Sequence, residues 1–245
     1  MITGGVDLAA DPKRTALCCI DWQGGDVHVS AGPVDDDAVV ELARRAVMCG
    51  WDVPLGWPDA FVAGLTRHHT GAGAFEAGPE ARRRLRYRLT DRRFAETGRW
   101  PLSVSTDLIG VPALRAAAIQ RRLVEEGLVV DRSGTSGVIA ETYPAGTLAA
   151  WGWPSRGYKG EAGREVRADL VGHLIGDLPT LRIPPEVREA MAASDDRLDA
   201  FVCALVARAV AQGLGTPPSV DDLPVARREG WIHVAAVAPS ELGGR

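Results

Sequence analysis

Acidic residues recur at four places in this chain where an ionised carboxylate is costly: Asp7 in GGVDLAA, Asp52 in VMCGWDVPL, Glu141 in GVIAETYP, and Asp196 with Asp199 in DRLDAFVCALVA. Each lies inside or at the end of an apolar segment. A carboxylate held near a core has to be neutralised, hydrogen-bonded or ligated. A shared hard cation, Mg2+ or Mn2+, is the simplest common partner, because such ions take oxygen ligands and need few protein carboxylates. Taken singly, each acid also has a plainer role as helix cap, turn former or surface residue. Ser194, Asp195 and Asp196 are all good caps for one long helix, whereas Asp199 lies a turn further in, where capping no longer accounts for it.

Basic residues offer a second chemistry. The stretch ARRRLRYRLTDRRFAETGR, residues 81–99, carries eight arginines against Asp91 and Glu96. Arg83 and Arg86 are candidate phosphate contacts, with Tyr87 as a stacking platform for a base. Lys159, in SRGYKG, is one of only two lysines and a further candidate phosphate contact. A solvated helix face and an ordinary loop lysine are the competing readings. His68 and His69 lack partners at zinc-site spacing. No G-x-S-x-G elbow or Walker A sequence occurs, and GAGAFEAG, residues 71–78, follows no clear strand.

The elements that must position these residues follow from pattern. Residues 4–9, 14–22 and 26–32 alternate as three antiparallel strands separated by the turns Ala10–Lys13 and Gln23–Gly25. Asp35, Asp36 and Asp37 supply the cap and first-turn acids of a helix over 38–46, with Val39, Val40, Leu42, Ala43 and Ala46 as its apolar stripe. A short strand through Asp52 follows and is ended by Pro54 and Pro58. Residues 58–100 are rich in Arg, Gly, Pro and His, and a loop and helix insertion at the sheet edge is expected over about 58–112. A helix is predicted over 113–127, closed by Gly127, then a strand carrying Glu141, helices at 162–175, 185–193 and 196–212, and a last strand in WIHVAAV.

A length of 245 residues fits one α/β domain spanning 1–245, with 46% hydrophobic and 24% charged residues. No apolar run approaches the roughly 20 residues that span a bilayer, and the start carries no basic and apolar leader. A cytoplasmic location is expected, with no membrane partner. Cys18, Cys19, Cys49 and Cys203 show no CxxC spacing and read as small hydrophobes. The net charge of −4 excludes a uniformly basic nucleic-acid binder while leaving room for a local basic face. Oligomeric state is left open, a dimer included.

An acid in the first of three antiparallel strands, a helix, a parallel strand ending in an acid, and a late helix reading D-x-x-D-A-x-x-x-A together resemble the ribonuclease H-like fold of Holliday-junction resolvases. More specifically, GVD (5–7), WDVPLGWP (51–58), YRLTD (87–91), ETYPAG (141–146), YKG (158–160), DRLDAFVCALVA (196–207) and EGWIHV (229–234) resemble the DUF429 family of predicted nucleases over nearly the whole chain. The resemblance implies a mixed sheet flanked by helices and a two-metal nuclease acting on DNA or RNA. In that scheme Asp7 bridges two Mg2+ or Mn2+ ions, Asp52 lies on one side, and Asp199, helped by Asp196, lies on the other. Glu141 matches the uncharacterised family rather than the simplest resolvase pattern, as a further ligand.

Two other readings compete. The actin-like branch, a phosphotransferase or nucleotide hydrolase, shares the sheet topology, but DLAADPKRT replaces the glycine-rich phosphate turn that branch needs. A binding protein that keeps the fold without metals is disfavoured by retention of the acids.

Overall fold

The computed structural model describes residues 1–73 and 75–243, so one residue of the GAGAFEAG segment lies outside the described part. Three strands open the chain: β1 (Ile2–Asp7), β2 (Ala16–Asp21) and β3 (Asp26–Val29). Helix α1 (Asp36–Arg45) follows, its N-cap Asp35 accepting a hydrogen bond from the Ala38 amide at 2.9 Å. Strand β4 (Met48–Asp52) returns beside β1. Helices α2 (Asp59–His69), α3 (Pro79–Arg86) and α4 (Leu89–Ala95) fill the region expected to be inserted, and α5 (Gly110–Glu125) comes next. Gly127, just past α5, takes φ 83°, the left-handed geometry that glycine adopts without strain.

The second half contains β5 (Ile139–Thr142), α6 (Pro144–Ala150), α7 (Arg164–Asp177), α8 (Pro185–Ala193), α9 (Asp195–Ala211), α10 (Leu223–Glu229), β6 (Ile232–His233) and α11 (Pro239–Leu242). Short α6, α10 and α11, of seven, seven and four residues, escape the sequence pattern because so few residues carry no readable helical period. The last strand is only two residues long, since Ala235 leaves the ladder for a bridge to Gly215. No described helix is long and apolar enough to cross a membrane.

The six strands form one mixed sheet in the order β3-β2-β1-β4-β5-β6. Strands β1, β2 and β3 pair antiparallel, while β1, β4, β5 and β6 run parallel. Side chains alternate across the sheet, so Val6, Trp51 and Ile139 enter a core closed by Leu42 of α1 and Ile119 and Leu123 of α5. The opposite face packs Cys18 and Ile20 against Leu198, Phe201 and Leu205 of α9, with α7 and α8 beyond.

Helix α9 lies unusually close to the sheet. Gly5 and Gly50 are register partners across β1 and β4. A β-carbon on Gly5 would stand 2.0 Å from the Ala200 carbonyl oxygen, and one on Gly50 would stand 2.4 Å from that of Cys203. Thr3, two residues before Gly5 and on the same face, donates its hydroxyl to the Ala204 carbonyl at 3.0 Å. Two glycines and a run of small residues therefore let helix backbone rest on strand backbone.

Candidate metal centre

Period-two alternation puts Asp7 on the face of Gly5, and Asp52 on the face of Gly50, both toward α9. They are the final residues of β1 and β4 and are register partners themselves. Asp7 thus ends its strand, where the sequence pattern suggested its middle. Asp199 precedes Ala200, the residue seated on Gly5, so the close approach of α9 delivers its side chain to the same two strand ends. One carboxylate oxygen from each of Asp7, Asp52 and Asp199 lies within 4.8 Å of the others.

Asp199 is fully buried, while Asp7 and Asp52 are partly open to solvent. Asp199 accepts a hydrogen bond from the Tyr158 hydroxyl at 3.0 Å and pairs through its other oxygen with the Lys159 ammonium. Among the described residues, the side chains of Asp7 and Asp52 have no hydrogen-bond or ion-pair partner. Burial, then the charges of Asp52 and Asp199, hold the Asp7 carboxyl well above the usual carboxylate range. Burial and the Asp199 charge push Asp52 up to about 7, against the opposing pull of Lys159. Asp199 is raised too, mainly by burial, with Lys159 opposing. Three mutually repelling carboxylates, two without a protein partner, fit a hard divalent cation by the chemistry of their donors.

Glu141 is not part of this cluster. It is buried on β5, and its two oxygens accept from Arg88 at 2.6 and 2.7 Å, with the Leu55 amide adding a third bond at 3.0 Å. Arg88 also pairs with Asp91 at 2.9 Å, so a fully buried guanidinium sits between two buried carboxylates. Arg88, hidden within an arginine run that reads as solvated, supplies the neutralisation that a cation was expected to give Glu141. Asp196 does not join the cluster either. It is a first-turn acid of α9, pairs with Arg14 at 3.2 Å, and leaves the cap itself to Ser194.

The arginine-rich stretch forms an exposed aromatic and cationic patch. Arg83 lies over the Trp100 ring at 4.8 Å, Arg86 over Tyr87 at 5.0 Å, and the Tyr87 and Trp100 centroids are 4.6 Å apart. Tyr87 is thus already packed by neighbours rather than presented as a bare platform. Trp100 also lines a cleft of about 300 Å3 that runs to Asp52, Tyr143 and Lys159 between Pro54, Leu102 and Ile109. Lys159 stands on the carboxylates, away from this patch. Sequence reasoning missed Tyr158, which holds Asp199; the neighbouring Lys159, in the same SRGYKG segment, was the visible signal.

No curated protein and no solved structure is matched by the chain. A family model described as protein of unknown function (DUF429) matches residues 5–223, which include Asp7, Asp52, Lys159 and Asp199, and the chain belongs to that family.

Proposed function

We propose that the protein is a divalent-metal-dependent nuclease that hydrolyses nucleic-acid phosphodiesters at Asp7, Asp52 and Asp199. The observation that carries this reading is the convergence of three carboxylates at two adjacent strand ends and one buried helix, two of them in no ion pair among the described residues. Carboxyl ends of parallel strands are where α/β sheets commonly build sites. The strand order, with an antiparallel start followed by parallel strands, agrees with the ribonuclease H-like pattern the sequence resembles.

Asp7, Asp52 and Asp199 would hold Mg2+ or Mn2+. Bound there, such a cation would offset charge on the phosphoryl oxygens and lower the pKa of a coordinated water. The cleft beside Asp52 and Lys159 receives the nucleotide next to the scissile phosphate, and its apolar walls exclude water from the reacting centre. Arg83 and Arg86, exposed on the far side of Trp100, contact phosphates further along the strand.

The test is cleavage. Purified protein with Mn2+ is offered single-stranded, duplex, hybrid and branched DNA and RNA, beside the Asp7→Asn and Asp199→Asn variants. Metal-dependent cleavage lost in both variants supports the reading. Cleavage that survives Asp7→Asn, or none on any substrate, overturns it.

A further inference from the structure

Residues 158 and 159 both address the same carboxylate. The Tyr158 hydroxyl takes one oxygen of Asp199 and the Lys159 ammonium takes the other. Their loop is fixed by Arg167 of α7, a guanidinium that is 1% exposed. Arg167 donates to the carbonyls of Tyr158 and Gly160, each at 2.6 Å, flanking Lys159 on both sides. The same guanidinium donates to the carbonyls of Ala192 and Ala193 at 2.9 and 3.2 Å, immediately before the Ser194 cap of α9. One buried cation thus ties the loop of Lys159 to the start of the helix that carries Asp199. A loop lysine that merely met solvent would need no such anchorage.

Charge gives this placement its meaning. Fully ionised, three carboxylates and one ammonium carry two negative charges in excess. One divalent cation cancels that excess. A second would leave a partly buried site doubly positive, with two like charges a few ångströms apart at reduced dielectric.

We propose that Lys159 occupies the role of a second cation, so that this is a one-metal centre completed by an ammonium group. The inference rests on the metal-dependent hydrolysis proposed above and specifies its stoichiometry and a further catalytic residue. The Lys159 side chain is half exposed and lines the cleft beside Asp52 as well as meeting Asp199, so its charge faces the carboxylates on one side and the substrate on the other. In the reaction a water oxygen bonds to phosphorus as the bond from phosphorus to the leaving oxygen breaks. The attacking water loses its proton to solvent. The leaving oxygen takes a proton from solvent while the Lys159 ammonium keeps its own and faces the negative charge that develops there, so atoms and charge balance. Arg167 acts as a positioning residue.

Equilibrium dialysis of the full chain against Mn2+, without nucleic acid, tests this directly. Wild type is expected to hold one Mn2+ per chain, Lys159→Met two, with the electron paramagnetic resonance signature of a coupled pair, and Lys159→Arg one. Two ions per wild-type chain, or one in a folded Lys159→Met variant, overturns the one-metal assignment while leaving metal-dependent hydrolysis standing. One ion per wild-type chain, two with Lys159→Met and no cleavage of any substrate supports the assignment and sinks the nuclease reading instead. No Mn2+ bound by wild type overturns both.

Discussion

Gly5 and Gly50 face one another in the parallel pair of β1 and β4, and the backbone of α9 passes both at distances that leave no space for a β-carbon. Two residues further along each strand come Asp7 and Asp52, and one residue before Ala200 on the helix comes Asp199. The glycine pair therefore sets the height of α9 above the sheet and, with it, the separation of the three carboxylates.

Gly5→Ala and Gly50→Ala should each be destabilising. The clash is with helix backbone rather than a flexible side-chain tip, so the cost belongs at or above the upper end of the roughly 1–3 kcal/mol typical of overpacking. Urea denaturation reads the loss. Mn2+ affinity should fall in the same variants, because lifting α9 moves Asp199 away from the strand ends. Wild-type stability in Gly5→Ala would contradict the account of how α9 is seated.

Glu141 and Asp7 separate structure from ligation. Arg88→Met leaves Glu141 and Asp91 buried without their cation and should cost about 3–5 kcal/mol. Glu141→Gln should also lower stability, yet leave Mn2+ affinity close to wild type. Asp7→Asn should do the reverse, raising the melting temperature of the metal-free protein by removing repulsion and abolishing the rise that Mn2+ produces. A large loss of Mn2+ affinity in Glu141→Gln would return Glu141 to the ligand set.

Stability of the metal-free protein should depend on pH through the cluster. The Asp52 carboxyl titrates at about 7 in the fold against an ordinary value of 3.8, and Asp7 and Asp199 shift the same way. Between those values the native chain holds a proton that the unfolded chain has lost. This contribution is fully present below pH ~4 and is lost as pH rises through about 7. Urea midpoints from pH 4 to 8 should show a decline in wild type that is smaller in Asp52→Asn, and Mn2+ should offset the decline increasingly as pH rises. Equal pH slopes in the two proteins would refute this.

Much of the framework was legible in the sequence because period-two and helical patterns are local. The three opening strands, α1 with its Asp35 cap, and the long apolar α9 are all present in the expected order, although β1 begins and ends two residues earlier than its pattern suggested and β3 stops at Val29. Asp199 stood out because capping does not explain an acid one turn into an apolar helix. Glu141 and Asp196 were ambiguous for a physical reason: a buried acid needs a positive partner, and the sequence does not say which one. Arg88 lies 53 residues from Glu141, and Arg14 lies 182 from Asp196. Lys159 was visible only as a rare lysine, since its pairing with Asp199 depends on the loop that Arg167 holds.

The patch around Trp100 should govern binding rather than chemistry. Arg83→Ala and Arg86→Ala should weaken nucleic-acid binding and reduce its salt dependence by about 0.7–0.9 in logarithmic slope for each phosphate that is no longer neutralised. Fluorescence anisotropy between 50 and 200 mM salt, a range on the order of that over which such effects are usually resolved, measures this. An unchanged slope would remove these arginines from the substrate path.

The central claim is that Asp7, Asp52 and Asp199 together hold a divalent cation. Crystals soaked in manganese should show an anomalous peak bonded to an oxygen from each of the three at about 2.1 Å, and the peak should vanish in Asp7→Asn. A fully occupied peak elsewhere, or no peak between these carboxylates at millimolar manganese, would contradict it.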